Sequence, residues 1–138
     1  TVICGHPGET DEDFAELLQF FRDYPFERLG AFVYSPEPGT PAAEAPDQVP
    51  EALAMERFDR LMRQQQSIAF TFNQRLVGRT VEILVDRVKG KNSFARTQYD
   101  APDIDPQVIV RNQRLMPGRF YTVRISGTRD YDLLASLL

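Results

Sequence analysis

The spacing of apolar residues changes near Gly78, and this change limits the chain to folds in which two kinds of structure follow one another. Before Gly78 there are two short apolar strands, and each is followed by a segment whose apolar residues recur every three or four positions, as in an amphipathic helix. Beyond Gly78 apolar and polar residues alternate, as in half-buried strands. The charge divides at the same place, with a net −7 over residues 1–77 and +3 over residues 78–138. We predict an α/β module over 1–77 followed by an all-β module over 78–138, with different partners.

The first module opens with a predicted strand–helix–strand unit. Residues 1–5 read as a short apolar strand, and Thr10 is placed to cap a helix that ends near Asp23, with Asp13 completing the cap. A second strand is predicted over residues 28–34, parallel to the first. Two parallel strands are too few to form a stable sheet, and the chain does not begin with Met, so we interpret it as a fragment of a larger protein.

A proline-rich segment and a long helix follow. Residues 35–50 hold five of the ten prolines, from which we predict no regular structure. A helix is predicted from about Pro50 to Leu76, and its apolar face is expected to pack against a barrel or the next module rather than form a dimer seam. The residues assigned to that face are Met55, Phe58, Met62, Ala69, Phe72 and Leu76, with Gln65 as the one polar member.

Five short alternating segments make up the second module, which we predict to be a closed five-stranded barrel of the OB-like type, because closure removes exposed strand edges. Turn-forming residues separate the segments. The predicted strands are Thr80–Asp86, Phe94–Gln98, Gln107–Val110, Phe120–Ser126 and Tyr131–Leu138, and the predicted inward residues are Val81, Ile83, Val85, Tyr121, Val123 and Ile125.

Cysteine and histidine content excludes several classes of site. Cys4 is the only cysteine, so no intrachain disulfide can form, and we expect it to be a buried strand residue of a protein from the reducing cytoplasm. His6, the only histidine, has no acidic or thiol partner at metal-ligand spacing, so we expect no metal site and no catalytic role for it. No apolar run reaches the length of a membrane span, so no membrane contact is expected.

Three motifs in this order resemble the methylthiotransferase branch of the radical-SAM enzymes. Residues 5–10, GHPGET, are similar to that branch's GFPGET turn, and residues 32–42, FVYSPEPGTPA, to its second marker. Residues 78–138 resemble the TRAM domain that closes these enzymes. The resemblance implies that residues 1–77 are the C-terminal part of a radical-SAM β/α barrel, a partial TIM-like barrel, with a long connecting helix.

The resemblance also implies cofactors that this chain cannot hold alone. Family members insert sulfur into a C–H bond and then methylate that sulfur, using 4Fe-4S clusters and S-adenosylmethionine. A cluster needs several thiolates and this chain has one cysteine, so we expect the isolated chain to be inactive and to need the N-terminal remainder of the enzyme. In a β/α barrel, ligands lie at the carboxyl ends of the strands. The residues expected on the S-adenosylmethionine side are Gly5, Pro7, Gly8, Glu9 and Thr10; a purely structural turn is the alternative.

Within the family, residues 95–105 and 130–134 are similar to the RimO type, which modifies an aspartate of the small-subunit ribosomal protein S-twelve. A loop rich in Asp repels phosphate and attracts a basic protein. We therefore expect Arg96, Asp103 and Asp105 to bind that ribosomal protein through the TRAM domain; a solvated loop is the alternative reading. His6, Ala95, Ala135 and Pro106 depart from the family pattern, and Pro106 stiffens this loop.

Two other functions stay open at this stage. A sister group modifies an adenosine of tRNA, and residues 78–138 could act as a free-standing RNA-binding barrel. Such barrels interleave aromatic and basic residues on one face, whereas here the aromatic residues are scattered and most of the basic ones lie in turns. Nucleic-acid binding is therefore the less favoured interpretation.

Overall fold

The computed structural model describes residues 1–102 and 105–138 and divides them into two compact units, Thr1–Ala69 and Phe70–Leu138. The division falls within a long helix, so this helix contributes residues to both units. Among the described residues, no helix combines the length and the apolar character that a membrane crossing requires.

The first unit contains the predicted strand–helix–strand arrangement. Strand β1 (Val2–Cys4) pairs in parallel with β2 (Ala31–Val33), and helix α1 (Asp11–Asp23) connects them. The cap of α1 is the one predicted: the Asp13 N–H donates to the Thr10 hydroxyl, and the Asp13 carboxylate accepts from the Thr10 N–H. The Thr10 hydroxyl also donates to the Asp13 carboxylate, at 2.8 Å. The hydrogen bonds that this carboxylate accepts, first from the Thr10 backbone N–H and then from the hydroxyl, hold the pKa of Asp13 below its usual value.

One turn of helix lies in the segment for which no regular structure was predicted. Helix α2 (Pro41–Glu44) is capped by Thr40, whose hydroxyl accepts from the Ala43 N–H at 3.3 Å. The prediction was wrong for these four residues because a proline in the first turn of a helix loses no hydrogen bond there and already has the required backbone angle.

Helix α3 (Glu51–Leu76) begins one residue after Pro50, ends at the predicted Leu76 and buries the predicted Gln65 and Ala69. The rest of its buried face is displaced around the helix from the predicted one, since Met55 is 46% exposed. The displacement arises because polar side chains occupy the buried stripe and find hydrogen-bond partners there, which makes their burial tolerable. The buried residues are Ala54, Arg57, Leu61, Gln65, Ala69 and Asn73.

The second unit contains the predicted five-stranded closed barrel, with neighbours in the order β3-β4-β5-β7-β6. All pairs are antiparallel except β5 with β7. The strands are β3 (Thr80–Lys89), β4 (Asn92–Arg96), β5 (Val108–Val110), β6 (Phe120–Arg129) and β7 (Asp132–Leu137). The predicted inward residues Ile83, Val85, Val123 and Ile125 are in the barrel core, and Val81 and Tyr121 pack against it partly buried.

Candidate functional site

The turn from Gly5 to Thr10 has a backbone that two glycines make possible. Gly5 and Gly8 have φ angles of +80° and +85°, a region that side chains with a Cβ atom rarely enter. A Cβ on Gly5 would overlap with the Cβ of Ala54 in α3, and one on Gly8 would lie 2.6 Å from a carboxylate oxygen of Asp47. Both glycines therefore allow this turn to lie against the segment that leads into α3 and against α3 itself.

The backbone N–H groups of this turn are used inside the protein. Four of them donate hydrogen bonds: Gly5 to the Glu9 carboxylate (3.1 Å), Gly8 to the Asp47 carbonyl (2.9 Å), Glu9 to the His6 carbonyl (3.0 Å) and Thr10 to the Asp13 carboxylate (2.9 Å). Acidic residues also occupy the first turn of α1, where an anion would otherwise be favoured. These four N–H groups already have acceptors inside the protein, and cofactor contact by the turn stays a prediction.

A buried arginine of α3 joins the turn to the start of α1. Arg57 is 2% exposed, and one terminal nitrogen donates to the Glu9 carboxylate at 2.7 Å and to the Glu9 carbonyl at 3.1 Å. The other donates to the Asp11 carboxylate at 2.7 Å. Burial alone would lower the pKa of Arg57, but hydrogen bonds to Asp11 and Glu9 outweigh it and raise the pKa. Sequence reasoning missed Arg57, although it lies three residues after Ala54 and four before Leu61 on the buried stripe.

An aromatic pair stands beside the turn at the end of β2. The rings of His6 and Tyr34 meet edge to face with centroids 5.5 Å apart, and the Tyr34 N–H donates to the Cys4 carbonyl at 2.8 Å. The Tyr34 hydroxyl oxygen is buried and has no hydrogen-bond partner among the described residues. His6 thus packs against a ring, and the absence of a catalytic role for it stays a prediction.

Cys4 does not suit a metal thiolate. It is fully buried, and this burial raises the pKa of its thiol to about 11. The Glu9 charge adds a smaller increase, and the Arg57 charge opposes both. The thiol is therefore protonated at neutral pH, whereas metal ligation needs the thiolate. Among the described residues no group of three or more His, Cys, Asp or Glu side chains could hold a metal. An iron–sulfur cluster does not fit the donor set of this chain.

The predicted partner residues lie at the end of β4 and in the loop after it. The Arg96 Nε is 3.3 Å from the Asp86 carboxylate, and Arg96 pairs in register with Leu84 of β3. The Asp105 carboxylate accepts from the Ala101 N–H at 2.7 Å. Asp103 lies outside the described residues. The structure thus gives Arg96 and Asp105 intramolecular partners, and binding of a protein by these residues stays a prediction.

One residue of the same loop was not selected from the sequence. Tyr99 is 77% exposed, and it sits in a turn in which the Thr97 hydroxyl donates to the Asp100 carboxylate at 2.6 Å. Exposed tyrosines are enriched at protein–protein interfaces. The signal in the sequence was an aromatic residue just before an Asp-Ala-Pro turn.

Comparisons with known proteins give matches over the whole chain. The family model described as "TRAM domain" matches residues 77–138. Curated proteins named ribosomal protein uS12 methylthiotransferase RimO are similar to all of this chain: 43% identical in Porphyromonas gingivalis, 41% in Parabacteroides distasonis and 39% in Chloroherpeton thalassium. The matches cover 33%, 32% and 33% of those proteins, so the chain spans about a third of the length of the curated relatives it matches.

A solved structure described as a multidomain protein with nucleic acid binding domains, from Streptococcus pneumoniae, matches 49% of this chain and 27% of its own. Its sequence identity is 21% and its TM-score 0.35, a likeness too low to bear on fold or function.

Proposed function

We propose that the chain belongs to the RimO family of ribosomal protein uS12 methylthiotransferases, and that the full-length protein containing it adds a methylthio group to an aspartate of uS12. The observation that carries this proposal is the 43% identity to a RimO protein, in an alignment 142 residues long that covers 100% of the chain. The order of the modules supports it as well, because a parallel strand–helix–strand unit precedes a closed barrel. Such an enzyme would work in the cytoplasm, where ribosomal proteins are made.

In this proposal, residues 1–77 complete a radical-SAM β/α barrel and residues 78–138 form the TRAM domain. The match of the TRAM family model to residues 77–138 supports the second assignment, and the parallel pairing of β1 with β2 supports the first. The 4Fe-4S clusters would be bound by thiolates from the rest of the enzyme, since this chain has one cysteine. The isolated chain would accordingly be inactive.

The contribution of the first module would be to shape the S-adenosylmethionine side of the barrel. When bound to the cluster, this cofactor supplies the radical that activates the substrate. The turn Gly5, Pro7, Gly8, Glu9 and Thr10 lies at the carboxyl end of β1, the end at which β/α barrels bind ligands. Gly8→Val in the full-length enzyme should then weaken cofactor binding.

Substrate recognition would fall to the TRAM domain. Arg96, Asp103 and Asp105 would contact uS12, a partner for which an acidic loop is electrostatically suited because ribosomal proteins are basic. The +3 net charge of residues 78–138 is low for a domain that binds tRNA through phosphate contacts.

An activity assay on the full-length protein tests the proposed function. The protein is purified, its clusters are reconstituted under anaerobic conditions, and it is incubated with S-adenosylmethionine, a sulfur source and either uS12 or tRNA. We expect mass spectrometry to detect a methylthio group on one aspartate of uS12 and none on tRNA adenosine. Modified adenosine with unmodified uS12 would reject the proposal in favour of the tRNA-modifying type.

A further inference from the structure

The three hydrogen bonds donated by Arg57 make it the link between α3 and the turn that follows β1. Its guanidinium binds both the carboxylate and the carbonyl of Glu9, so it fixes the side chain and the backbone of the same residue. Its other terminal nitrogen donates to the carboxylate of Asp11 in the first turn of α1. Glu9 and Asp11 are 48 and 46 residues away in sequence, so these contacts exist only in the folded unit.

The Glu9 carboxylate passes this constraint on to the end of β1. It accepts the Gly5 N–H with both oxygens, at 3.1 and 3.2 Å. Gly5 is at the same time held against Ala54, one turn before Arg57 in α3, by the close approach described above. The residues between Gly5 and Glu9 are therefore held at both ends by contacts that depend on Arg57 and its helix.

Burial strengthens the ionic attraction between Arg57 and Glu9. The side chains of Arg57 and Glu9 are 3% and 12% exposed, so water screens their attraction poorly. A Glu9 carboxylate left without Arg57 would be buried and uncompensated, and it would be expected to rotate toward solvent. That rotation would release the Gly5 N–H and allow the turn to change its conformation.

We propose that Arg57 is a positioning residue that holds the turn from Gly5 to Glu9 in the conformation that S-adenosylmethionine meets. This inference rests on the proposed function, because it takes the turn to lie on the cofactor side of the barrel. Arg57 itself acts through Glu9 and does not touch the cofactor.

The experiment compares Arg57→Gln with Arg60→Gln, a matched control in the same helix. The guanidinium of Arg60, like that of Arg57, lies over the Phe14 ring, at 5.1 Å against 5.7 Å. Its side chain, however, is 53% exposed and pairs only loosely with Glu56, at 3.8 Å. The two variants therefore differ in the contact with the turn while sharing the aromatic contact and the loss of one charge.

Two readouts are measured. In the 138-residue chain, hydrogen exchange reports the protection of the Gly5 and Glu9 amides, which we expect to fall in Arg57→Gln and not in Arg60→Gln. In the cluster-reconstituted full-length protein, equilibrium dialysis with labelled S-adenosylmethionine reports its Kd. We expect Arg57→Gln to raise the Kd about tenfold, the range in which residues without ligand contact change binding, and Arg60→Gln to leave it unchanged.

The outcomes separate the inference from the function on which it rests. If the wild-type protein binds the cofactor and Arg57→Gln binds it equally well, the inference is overturned and the proposed function stands. If the wild-type protein binds no S-adenosylmethionine, the proposed function fails and this inference fails with it. Should Arg57→Gln not fold, Arg57→Lys keeps the charge but loses the planar fork that binds Glu9 and Asp11 together, and we expect about a threefold rise in Kd; an unchanged Kd there rejects the inference.

Discussion

Two features at the end of β1 constrain residue 5 to glycine: its backbone conformation and its close contact with Ala54 of α3. Its φ of +80° disfavours any residue with a Cβ, and that Cβ would overlap with Ala54. We expect Gly5→Ala to lower the free energy of unfolding by about 2–4 kcal/mol, from left-handed strain together with overpacking. Denaturant unfolding of the 138-residue chain measures this loss.

Gly39→Ala is the matched control for the Gly5 substitution. Gly39 has the same φ of +80° but no atom within 4 Å of an added Cβ. It should therefore lose only about 1–2 kcal/mol, the cost of the left-handed conformation alone. Equal losses at the two glycines would mean that the contact with Ala54 does not limit the residue at position 5.

Cys4 links the stability of the first unit to alkaline pH. Burial raises the pKa of its thiol from 9.0 to about 11, so between these values the unfolded chain has lost a proton that the folded chain retains. The contribution of Cys4 to the free energy of unfolding should therefore be fully present below pH 9.0 and be lost as the pH rises toward 11, by about 3 kcal/mol in total. Denaturant unfolding at a series of pH values measures the slope.

Cys4→Ala serves as the control for this pH dependence. The variant loses some packing at every pH, but it lacks the thiol and should not show the additional decline between pH 9.0 and 11. A wild-type slope no steeper than that of Cys4→Ala would contradict the raised pKa. Alkylation is a second measurement, because a buried and protonated thiol should react only after unfolding.

At the scale of elements, the last turns of α3 belong to the barrel unit. Asn73 is fully buried, and its side-chain amide donates to the Tyr131 carbonyl at 2.8 Å. Gln74 bonds the Thr128 hydroxyl at 2.9 Å, and Leu76 packs against the barrel core. We expect the free energy of unfolding to be about 2 kcal/mol larger for a chain of residues 70–138 than for a chain of residues 77–138, because the shorter chain lacks these contacts.

The substitution Asn73→Ala tests the same contribution without changing the length. It leaves the Tyr131 carbonyl without this donor, which should lower the free energy of unfolding of residues 70–138 by about 1–3 kcal/mol. Gln66→Ala in the full chain, at an exposed helix position outside this unit, should change stability by less than about 0.5 kcal/mol. Equal stability of residues 70–138 and 77–138 would show that the helix end is dispensable for the barrel.

The elements that could be predicted are those whose cause is local. The cap formed by Thr10 and Asp13 spans four residues, and the alternation in β3 and β6 follows from the two-residue repeat of a strand. The buried face of α3 could be predicted in this way only at Gln65 and Ala69. Arg57 and Asn73 look like surface residues in a sequence, and only partners 46 to 58 residues distant make their burial favourable.

At the scale of the whole molecule, the site was less predictable than the family. The motifs at residues 5–10 and 32–42 point to the methylthiotransferases because each is a short continuous string. The contacts that surround the first motif come instead from residues such as Asp47, Ala54 and Arg57, which no continuous string contains. Sequence reasoning therefore located the turn and the helix but not the contacts that join them.

The charge of the barrel loop makes a prediction for binding by the full-length protein. If Asp103 and Asp105 attract uS12, reversing both to Lys should weaken binding about tenfold at low salt, because acidic side chains at the rim of an interface attract a basic partner over several ångströms. The difference should shrink as salt is raised to about 1 M, where the screening length is about 3 Å. Titration of uS12 into the enzyme at several salt concentrations measures both quantities.

Glu82→Lys provides the control for this charge reversal, since it reverses an exposed acidic side chain of β3 that lies outside this loop. General electrostatic attraction between acidic side chains and a basic protein would make Glu82→Lys weaken binding, per charge, as much as the loop variant does. A specific docking loop would instead confine the loss to Asp103 and Asp105. Binding of uS12 that is unaffected by the double reversal, at any salt, would remove this loop from the interface and leave recognition to another surface of the enzyme.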